Sequence, residues 1–347
     1  MRYCIVLVLS FLLAATVYAT EPVRIVLDTD LGNDVDDAMA LAVVHALQNR
    51  NECTLLAITT TKDNQYVAPM IDLLNTFYGR PDIPIAVVKD GMTKGDREYC
   101  RQVLELKDEE GNPRYRRTLT PEDSANLPDA VPFLRQLLAA EPDHSLVLVQ
   151  IGFSTNFARL LDTPPDDVSP LDGKELVAKK VKFLSLMAGS FFKETISTPL
   201  GYTYQPEQTE YNIGNDIPSA KKLIAEWPTE MIFSGVEIGL KILHPLASMK
   251  EDYGYVKYHP VKDAYFFYCK PDRDHYVCDL TSVLYAVRPN RGYFDLSPRG
   301  TVTVLEGGRT IFTPNENGKH RYMIVTPEQI ATVREALVQL CSEPPKR

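Results

Sequence analysis

Five carboxylates occupy ten consecutive positions near the start of the chain, between an apolar stretch and a helical pattern. The segment reads Asp28-Thr29-Asp30-Leu31-Gly32-Asn33-Asp34-Val35-Asp36-Asp37. Like charges at this density are unfavourable unless something neutralises them. A helix N-terminus contributes only about 0.3–1 kcal/mol per charge, whereas a hard cation with oxygen ligands contributes far more. The segment therefore predicts a Ca²⁺ or Mg²⁺ site, with a metal-free helix-capping segment as the weaker alternative.

Two known acidic motifs are alternatives for this segment. An EF-hand loop fails, because its sixth residue is Asn33 rather than Gly and its twelfth is Met39 rather than Glu. The pattern Asp28-x-Asp30 also resembles the nucleophile and acid of haloacid dehalogenase-type phosphohydrolases, which depend on Mg²⁺. That family has Thr or Val two places after the second Asp, where this chain has Gly32. A phosphohydrolase with Asp28 as its nucleophile stays an alternative.

Short apolar stretches alternate along the chain with amphipathic helical patterns. The apolar stretches, which lack polar alternation as strands buried on both faces do, lie at 24–28, 54–60, 85–88, 146–151, 183–188 and 231–233. The helical patterns lie at 36–48, 66–78, 130–140, 155–161, 218–226, 280–287 and 327–341. Repeated βα units predict an α/β fold that is doubly wound around a mainly parallel central sheet.

Residues that could contact a ligand follow several of the predicted strands. Asp30, Asn64, Thr155 and Met187 each come at or just after a strand's carboxyl end. In open α/β sheets the carboxyl ends of parallel strands share one edge, and ligands bind there. We therefore expect these four residues to converge on one site.

The acidic segment resembles the N-terminal motif DxDPGxDDAxAL of the inosine-uridine preferring nucleoside hydrolase family. It departs from that motif by Leu31 in place of Pro and by two extra residues before Asp36. Further motifs of the same family are matched, in order, by Ile58-Thr59-Thr60 with Asn64, Gly152-Phe153-Ser154-Thr155-Asn156, Met187-Ala188-Gly189, Glu210-Tyr211-Asn212 and Asp279. The resemblance spans about residues 24 to 287.

The resemblance implies a nucleoside hydrolase-like fold and an enzyme that uses Ca²⁺ to hydrolyse the N-glycosidic bond of ribonucleosides, releasing ribose and nucleobase. It implies a calcium ion held by Asp30, Asp37, the backbone carbonyl of Thr155 and Asp279, with Asp30 also acting as general base. It further implies a set of residues that bind the ribose, namely Asp36, Asn64, Met187, Glu210 and Asn212. Assembly into a homodimer or homotetramer is also implied.

The group that protonates the departing base is the weak point of the resemblance. Well-known members of the family carry a His directly before the late Asp, and here that position is Cys278. His275 is a substitute candidate, and Phe191 and Tyr202 are candidates for an aromatic cover over the base. The missing His keeps one more alternative open, a non-catalytic protein that binds a sugar or nucleoside with calcium.

Charge and the N-terminal residues bear on partners and location. The chain has 37 Lys and Arg against 46 Asp and Glu, a net charge of −9. No basic stripe is present to displace counterions from a phosphate backbone, which argues against a nucleic-acid partner. Residues 1–19 resemble a secretory signal cut after Ala19. We expect a periplasmic or secreted protein with no stable membrane insertion after cleavage.

The rest of the chain is expected to form one α/β domain over residues 20–342, followed by a short tail, 343–347. The charge-rich segment 89–129 interrupts the βα rhythm and predicts a surface insertion, a candidate lid. Residues 290–325 predict a β-rich extension of the domain. This extension carries hairpin-turn signals at 306–308 and 315–318.

The stretch before this extension, residues 253–290, is also expected to be β-rich up to its final helix. Within it, Cys269 and Cys278 flank a turn and are candidates for a disulfide.

Overall fold

A computed structural model of the chain describes residues 21–95 and 98–346. Its strands are β1 (Val23–Thr29), β2 (Cys53–Thr60), β3 (Ile85–Val87), β4 (Leu146–Gln150), β5 (Val181–Met187), β6 (Ile196–Ser197), β7 (Thr203–Tyr204), β8 (Glu230–Ser234), β9 (Leu243–His244), β10 (His275–Tyr276), β11 (Asp295–Leu296), β12 (Gly300–Val304), β13 (Thr310–Pro314) and β14 (His320–Ile324).

Its α-helices are α1 (Asp36–Asn49), α2 (Val67–Phe77), α3 (Tyr99–Leu104), α4 (Ala130–Ala140), α5 (Thr155–Leu161), α6 (Gly173–Lys180), α7 (Tyr211–Asn215), α8 (Ile217–Glu226), α9 (Val236–Gly239), α10 (Leu246–Glu251), α11 (Pro260–Tyr268), α12 (Cys278–Val287) and α13 (Pro327–Cys341). A 3₁₀ helix covers Pro121–Asn126.

One large sheet runs through the molecule in the order β13-β12-β14-β8-β5-β4-β1-β2-β3, with β11 paired to β14. The pairs from β14 through β8, β5, β4, β1 and β2 to β3 are parallel, whereas β11, β12 and β13 pair antiparallel. The α/β fold with a mainly parallel central sheet and a β-rich C-terminal extension is confirmed.

Strand β1 lies in the middle of the sheet and shows why its sequence is apolar on both faces. Ile25 and Leu27 pack into one hydrophobic cluster, which includes residues of α1 and α12. Val26 points to the other face and packs with residues of α4 and α5. Because successive side chains of a strand alternate between faces, a strand covered by helices on both sides has no polar positions.

The segment 253–290 corrects one expectation. It is largely helical, with α11 and α12, and its strand content is the two residues of β10. The aromatic and β-branched residues of this stretch suggested strands, but Val261, Ala264 and Tyr265 fall at helical spacing and are all buried. Tertiary burial of that face outweighs the local β propensity.

The hairpin and disulfide expectations have mixed outcomes. The turn at 306–308 joins β12 to β13, which pair antiparallel. The turn at 315–318 joins β13 to β14, yet β12 lies between them in the sheet.

The pairing of Cys269 with Cys278 is wrong, because both thiols are free. Cys269 is buried behind the end of α11, whereas Cys278 starts α12.

The segment 89–129 is more than a surface insertion. Within its described part, Tyr99, Cys100 and Val103 of α3 are fully buried, and α3 packs against α2 and α11. Residues 1–19, predicted as a secretory signal, lie outside the described residues. Among the described residues, no helix combines the length and apolar character needed to span a bilayer.

Candidate active site

A cavity of about 200 Å³ opens at the carboxyl edge of the central sheet. Asp30 lies just after β1, Ile151 just after β4 and Met187 at the end of β5, so three neighbouring strands supply its floor. The residues that line it are Asp30, Asn33, Asp34, Asp36, Asp37, Ile151, Met187, Glu210, Tyr211, Asn212, Val236, Leu240, Tyr268, Tyr276, Cys278 and Asp279. This edge is where open α/β sheets bind ligands.

Three carboxylates in this cavity form a compact oxygen cluster. One oxygen each of Asp36, Asp37 and Asp279 lies within 4.8 Å of the other two, and all three residues are buried. The backbone N–H of Asp279 donates to Asp36 Oδ2 at 3.1 Å, and Thr29 Oγ1 donates to Asp37 Oδ1. Asp37 Oδ2 is buried with no hydrogen-bond partner among the described residues. A buried, unpartnered carboxylate oxygen is the kind of group that a cation satisfies.

The raised pKa values of the clustered carboxylates also indicate a cation site. Burial, followed by the charges of neighbouring carboxylates, raises the pKa of Asp37 and of Asp279 well above the usual value. Burial and the nearby Asp34 raise the pKa of Asp36 to about 7. Packed together without a counter-charge, these groups resist ionisation. A divalent cation among them removes that resistance, so the cluster is suited to hold one.

Asp30 is a buried carboxylate that lines the cavity. It is 3% exposed, and Asn33 Nδ2 donates to its Oδ2 at 2.6 Å. Lys62 donates in turn to Asn33 Oδ1. Burial raises the pKa of Asp30 to about 6, held down in part by Asn33 and by the Lys62 charge. Asp30 therefore exchanges a proton close to neutral pH, as a general base requires.

Glu210 and Asn212 tie the ends of β4 and β5 together. Glu210 caps α7 and accepts from the backbone N–H groups of Asn212 at 2.7 Å and Gly189 at 3.2 Å. Asn212 Nδ2 donates to the carbonyl oxygens of Ile151 at 3.2 Å and Met187 at 3.1 Å. Burial raises the pKa of Glu210 to about 7. The two side chains add polar oxygens to the wall of the cavity.

Asn64 and Thr155, both predicted for the site, do not line the cavity. Asn64 Nδ2 donates to the Lys94 carbonyl at 2.9 Å, and its Oδ1 accepts from Tyr66 N–H at 2.9 Å, so the side chain closes the turn before α2. Thr155 is buried at the start of α5, and its Oγ1 donates to Asp216 Oδ2 at 2.5 Å. A local turn directs the Asn64 side chain away from the cavity. The Thr155 side chain is held at the start of α8, and the prediction for its backbone carbonyl stays a prediction.

The three residues predicted to contact the base also lie off the cavity lining. Phe191 stacks on Tyr322 with ring centroids 4.8 Å apart. Tyr202 is 56% exposed on the loop before Glu210, with its ring 6.3 Å from that of Tyr276. His275 does not line the cavity, and its Nε2 lies 2.6 Å from Asp34 Oδ1, which does. Tyr211, Tyr268 and Tyr276, to which the sequence analysis gives no role, are the aromatic residues that line the cavity instead.

The acidic segment exceeds the family motif by two residues between Gly32 and Asp36, and Asn33 and Asp34 of this stretch both line the cavity. Sequence reasoning noted this insertion but gave it no role. Tyr99 of α3 holds it in place, accepting from Gly32 N–H at 2.9 Å and donating to the Asp34 carbonyl at 2.8 Å. Burial would raise the pKa of Asp34, but the charge and hydrogen bond of His275 lower it to about 2.

Asp28 is excluded from the cavity. It is fully buried, with Oδ1 accepting from Thr59 Oγ1 at 2.5 Å and from Asn156 Nδ2 at 2.8 Å. A nucleophile must reach its substrate, and this carboxylate is enclosed by β2 and α5. Asp28 instead fixes the end of β1, from which Asp30 extends.

The chain was compared with known proteins. The family model of the inosine-uridine preferring nucleoside hydrolases matches residues 25–336. The chain belongs to this family. The family membership makes the protein a hydrolase that acts on N-glycosyl compounds, and it supports ribonucleosides as the substrate class. A search of curated proteins gave no match.

Solved structures share the fold at low sequence identity. A plant nucleoside hydrolase, PpNRh1, superposes with a TM-score of 0.66 at 18% identity, over 93% of this chain and 100% of that one. The purine-preferring ribonucleoside hydrolase from Gardnerella vaginalis gives 0.64 at 19%, over 92% and 99%. The inosine-uridine preferring nucleoside hydrolase from Bacillus anthracis gives 0.64 at 15%, over 92% and 99%. At these identities the likeness is one of fold.

Proposed function

We propose that this nucleoside hydrolase family member is a calcium-dependent enzyme that cleaves the bond between ribose and nucleobase in the cavity at the sheet edge. The observation that carries the proposal is the buried cluster of Asp36, Asp37 and Asp279 with its unpartnered oxygen on Asp37. A carboxylate cluster without nitrogen or sulfur ligands suits a hard cation such as Ca²⁺ better than zinc or copper.

Asp37 and Asp279 are the residues proposed to hold the ion, together with Asp30 across the cavity. The family resemblance adds the backbone carbonyl of Thr155. When bound, a hard dication in such a site lowers the pKa of a coordinated water and orients it. Proton transfer from the water and binding of the ribose are assigned to side chains of the cavity.

Asp30 is proposed to take the proton of the attacking water at the carboxylate oxygen that Asn33 does not contact. Asp36, Glu210 and Asn212 are proposed to bind the ribose hydroxyls. Such contacts hold the sugar in reacting geometry while positive charge develops on it. Met187 lies at the cavity floor, with its sulfur 3.3 Å from Asn212 Nδ2, where it packs under the sugar.

Export and assembly complete the proposal. We propose that residues 1–19 direct the chain to the periplasm or the exterior and that the mature protein forms a homodimer or homotetramer. Both statements stay predictions.

The test is ribose release from a panel of ribonucleosides by the unchanged protein and by Asp30→Asn. The amide cannot accept the proton of the attacking water, so we expect the rate to fall by at least about 100-fold. Circular dichroism should show an intact fold. Asp82→Asn, at an exposed site outside the cavity, is the matched control and should keep full activity. Full activity in Asp30→Asn would overturn the mechanism.

A further inference from the structure

Asp34 brings an additional carboxylate into the cavity through the two-residue insertion. Its Oδ1 accepts from His275 Nε2 at 2.6 Å and from the Val35 backbone N–H at 2.5 Å. Its Oδ2 accepts from Tyr268 Oη at 3.0 Å. Even so, the side chain is 42% exposed. Asp34 is therefore fixed in direction and open to a ligand at the same time.

His275 fixes this carboxylate from behind. Its side chain is only 4% exposed, and T-shaped contacts with the rings of Tyr265 and Tyr268 hold the imidazole. His275 is thus a positioning residue for Asp34. His275 itself does not line the cavity.

The cavity is poor in groups that can donate a proton to a leaving base. Among the described residues that line it there is no histidine, lysine or arginine. Cys278, which also lines the cavity, stands directly before Asp279, where the family motif has a histidine. Tyr268, which donates to Asp34, lines the same cavity, as do Tyr276 and Leu240. A leaving base near Asp34 meets a fixed carboxylate and, among the described lining residues, no basic side chain to act as its acid.

The charge that the base acquires when its bond to ribose breaks decides which bases can leave easily beside Asp34. Water forms a bond to the anomeric carbon, the carbon–nitrogen bond breaks, and its electron pair moves to the base nitrogen. A neutral base thereby becomes an anion, which needs a proton and is repelled by a neighbouring carboxylate. A base that already carries a fixed positive charge becomes neutral and needs no proton. One proton of the water stays on the new anomeric hydroxyl group. The other goes to Asp30 and then to solvent, whichever base leaves.

We propose that Asp34 is a specificity-determining residue that favours ribosides whose base carries a fixed positive charge, such as N-alkylated purine ribosides. This inference rests on the proposed function, since it names the substrate class of the same site. The carboxylate attracts the charged base on binding, and the lack of an acid costs such a substrate nothing.

The first test compares 7-methylguanosine with guanosine on the unchanged protein in the presence of calcium. The two substrates differ by one methyl group and one positive charge on the base. A general acid typically contributes about 100-fold or more, so we expect kcat/KM for 7-methylguanosine to exceed that for guanosine by at least about 100-fold. Equal values would show that an acid serves the neutral base, which overturns the inference.

The second test removes the charge with Asp34→Asn and measures the same ratio, in which the intrinsic lability of the methylated base cancels. We expect the ratio to fall about tenfold or more, because a charge interaction inside the cavity is lost. Asp272→Asn removes one negative charge outside the cavity, at a side chain that is 49% exposed. This control should leave the ratio unchanged.

Guanosine turnover by Asp34→Asn shows that the variant is folded and competent. A ratio that does not change in Asp34→Asn overturns the role of Asp34 while leaving the proposed hydrolase intact. If the unchanged protein cleaves neither substrate, nor any riboside of the panel, the proposed function itself fails. The first comparison needs no variant, so it decides the substrate class even if Asp34→Asn does not fold.

Discussion

At the scale of single residues, seven of those predicted for the site line one cavity, and their roles stay predictions. They are Asp30, Asp36, Asp37, Met187, Glu210, Asn212 and Asp279. Each follows a strand end or starts a helix, so the backbone alone brings it to the edge of the sheet. Asn64 follows a strand too, but its amide closes a local turn. Where a flexible polar side chain has a nearby backbone partner, sequence spacing does not fix its direction.

Glu210 both holds backbone N–H groups in place and lines the cavity. Its carboxylate accepts three backbone N–H groups, from Gly189, Asn212 and Ile213, while it lines the cavity. We expect Glu210→Gln to cost about 1–2 kcal/mol of unfolding free energy, because a neutral acceptor replaces a charged one, and to lower kcat/KM. Urea denaturation and initial rates measure the two effects. Glu207→Gln, three residues earlier and exposed, should change neither, and a stable, fully active Glu210→Gln would contradict both duties.

At the scale of elements, buried strands and long amphipathic helices were predictable and short aromatic helices were not. The helix predicted over 130–140 is α4 residue for residue, and the strand predicted over 54–60 is β2 within one residue. Both patterns repeat over enough residues to fix the period. Helix α11 has nine residues rich in Tyr and Phe, so its periodicity is short and its composition favours strands.

The turn after β4 shows how tightly the elements meet beside the site. A Cβ at Gly152 would lie 2.3 Å from Thr61 Oγ1 and 2.6 Å from the backbone nitrogen of Asp30. We therefore expect Gly152→Ala to destabilise the fold by about 1–3 kcal/mol and to displace Asp30, lowering activity. Gly307→Ala is the matched control, because nothing lies within 4 Å of its Cβ position. Equal urea midpoints for the two variants would refute this packing.

At the scale of the whole molecule, the site sets part of the protein's pH-dependent stability. Burial raises the pKa of Asp36 and Glu210 to about 7 and that of Asp30 to about 6. Between about pH 4 and pH 7 these three carboxylates therefore bind more protons in the folded metal-free chain than in the unfolded chain. Their contribution to stability falls as pH rises through that window, because they must ionise while buried.

Calcium should offset this loss at high pH, where the carboxylates are free of protons. We expect the calcium-induced rise in Tm to be larger at about pH 8 than at about pH 5.5, since protons compete with the ion below the folded-state pKa values. Differential scanning calorimetry with calcium or with a chelator measures it. Buried histidines such as His45, with its pKa lowered to about 3 by burial, destabilise both forms alike in acid and cancel. A calcium effect independent of pH would contradict the assignment.

The most direct test of the central claim is calorimetric titration of calcium into the unchanged protein and into Asp37→Ala, with ribose release measured on the same samples. Asp37 carries the unpartnered buried oxygen of the cluster. We predict that the unchanged protein binds the ion and releases ribose, and that Asp37→Ala loses both. An Asp37→Ala variant that binds calcium as tightly as the unchanged protein, or releases ribose as fast, would contradict the account.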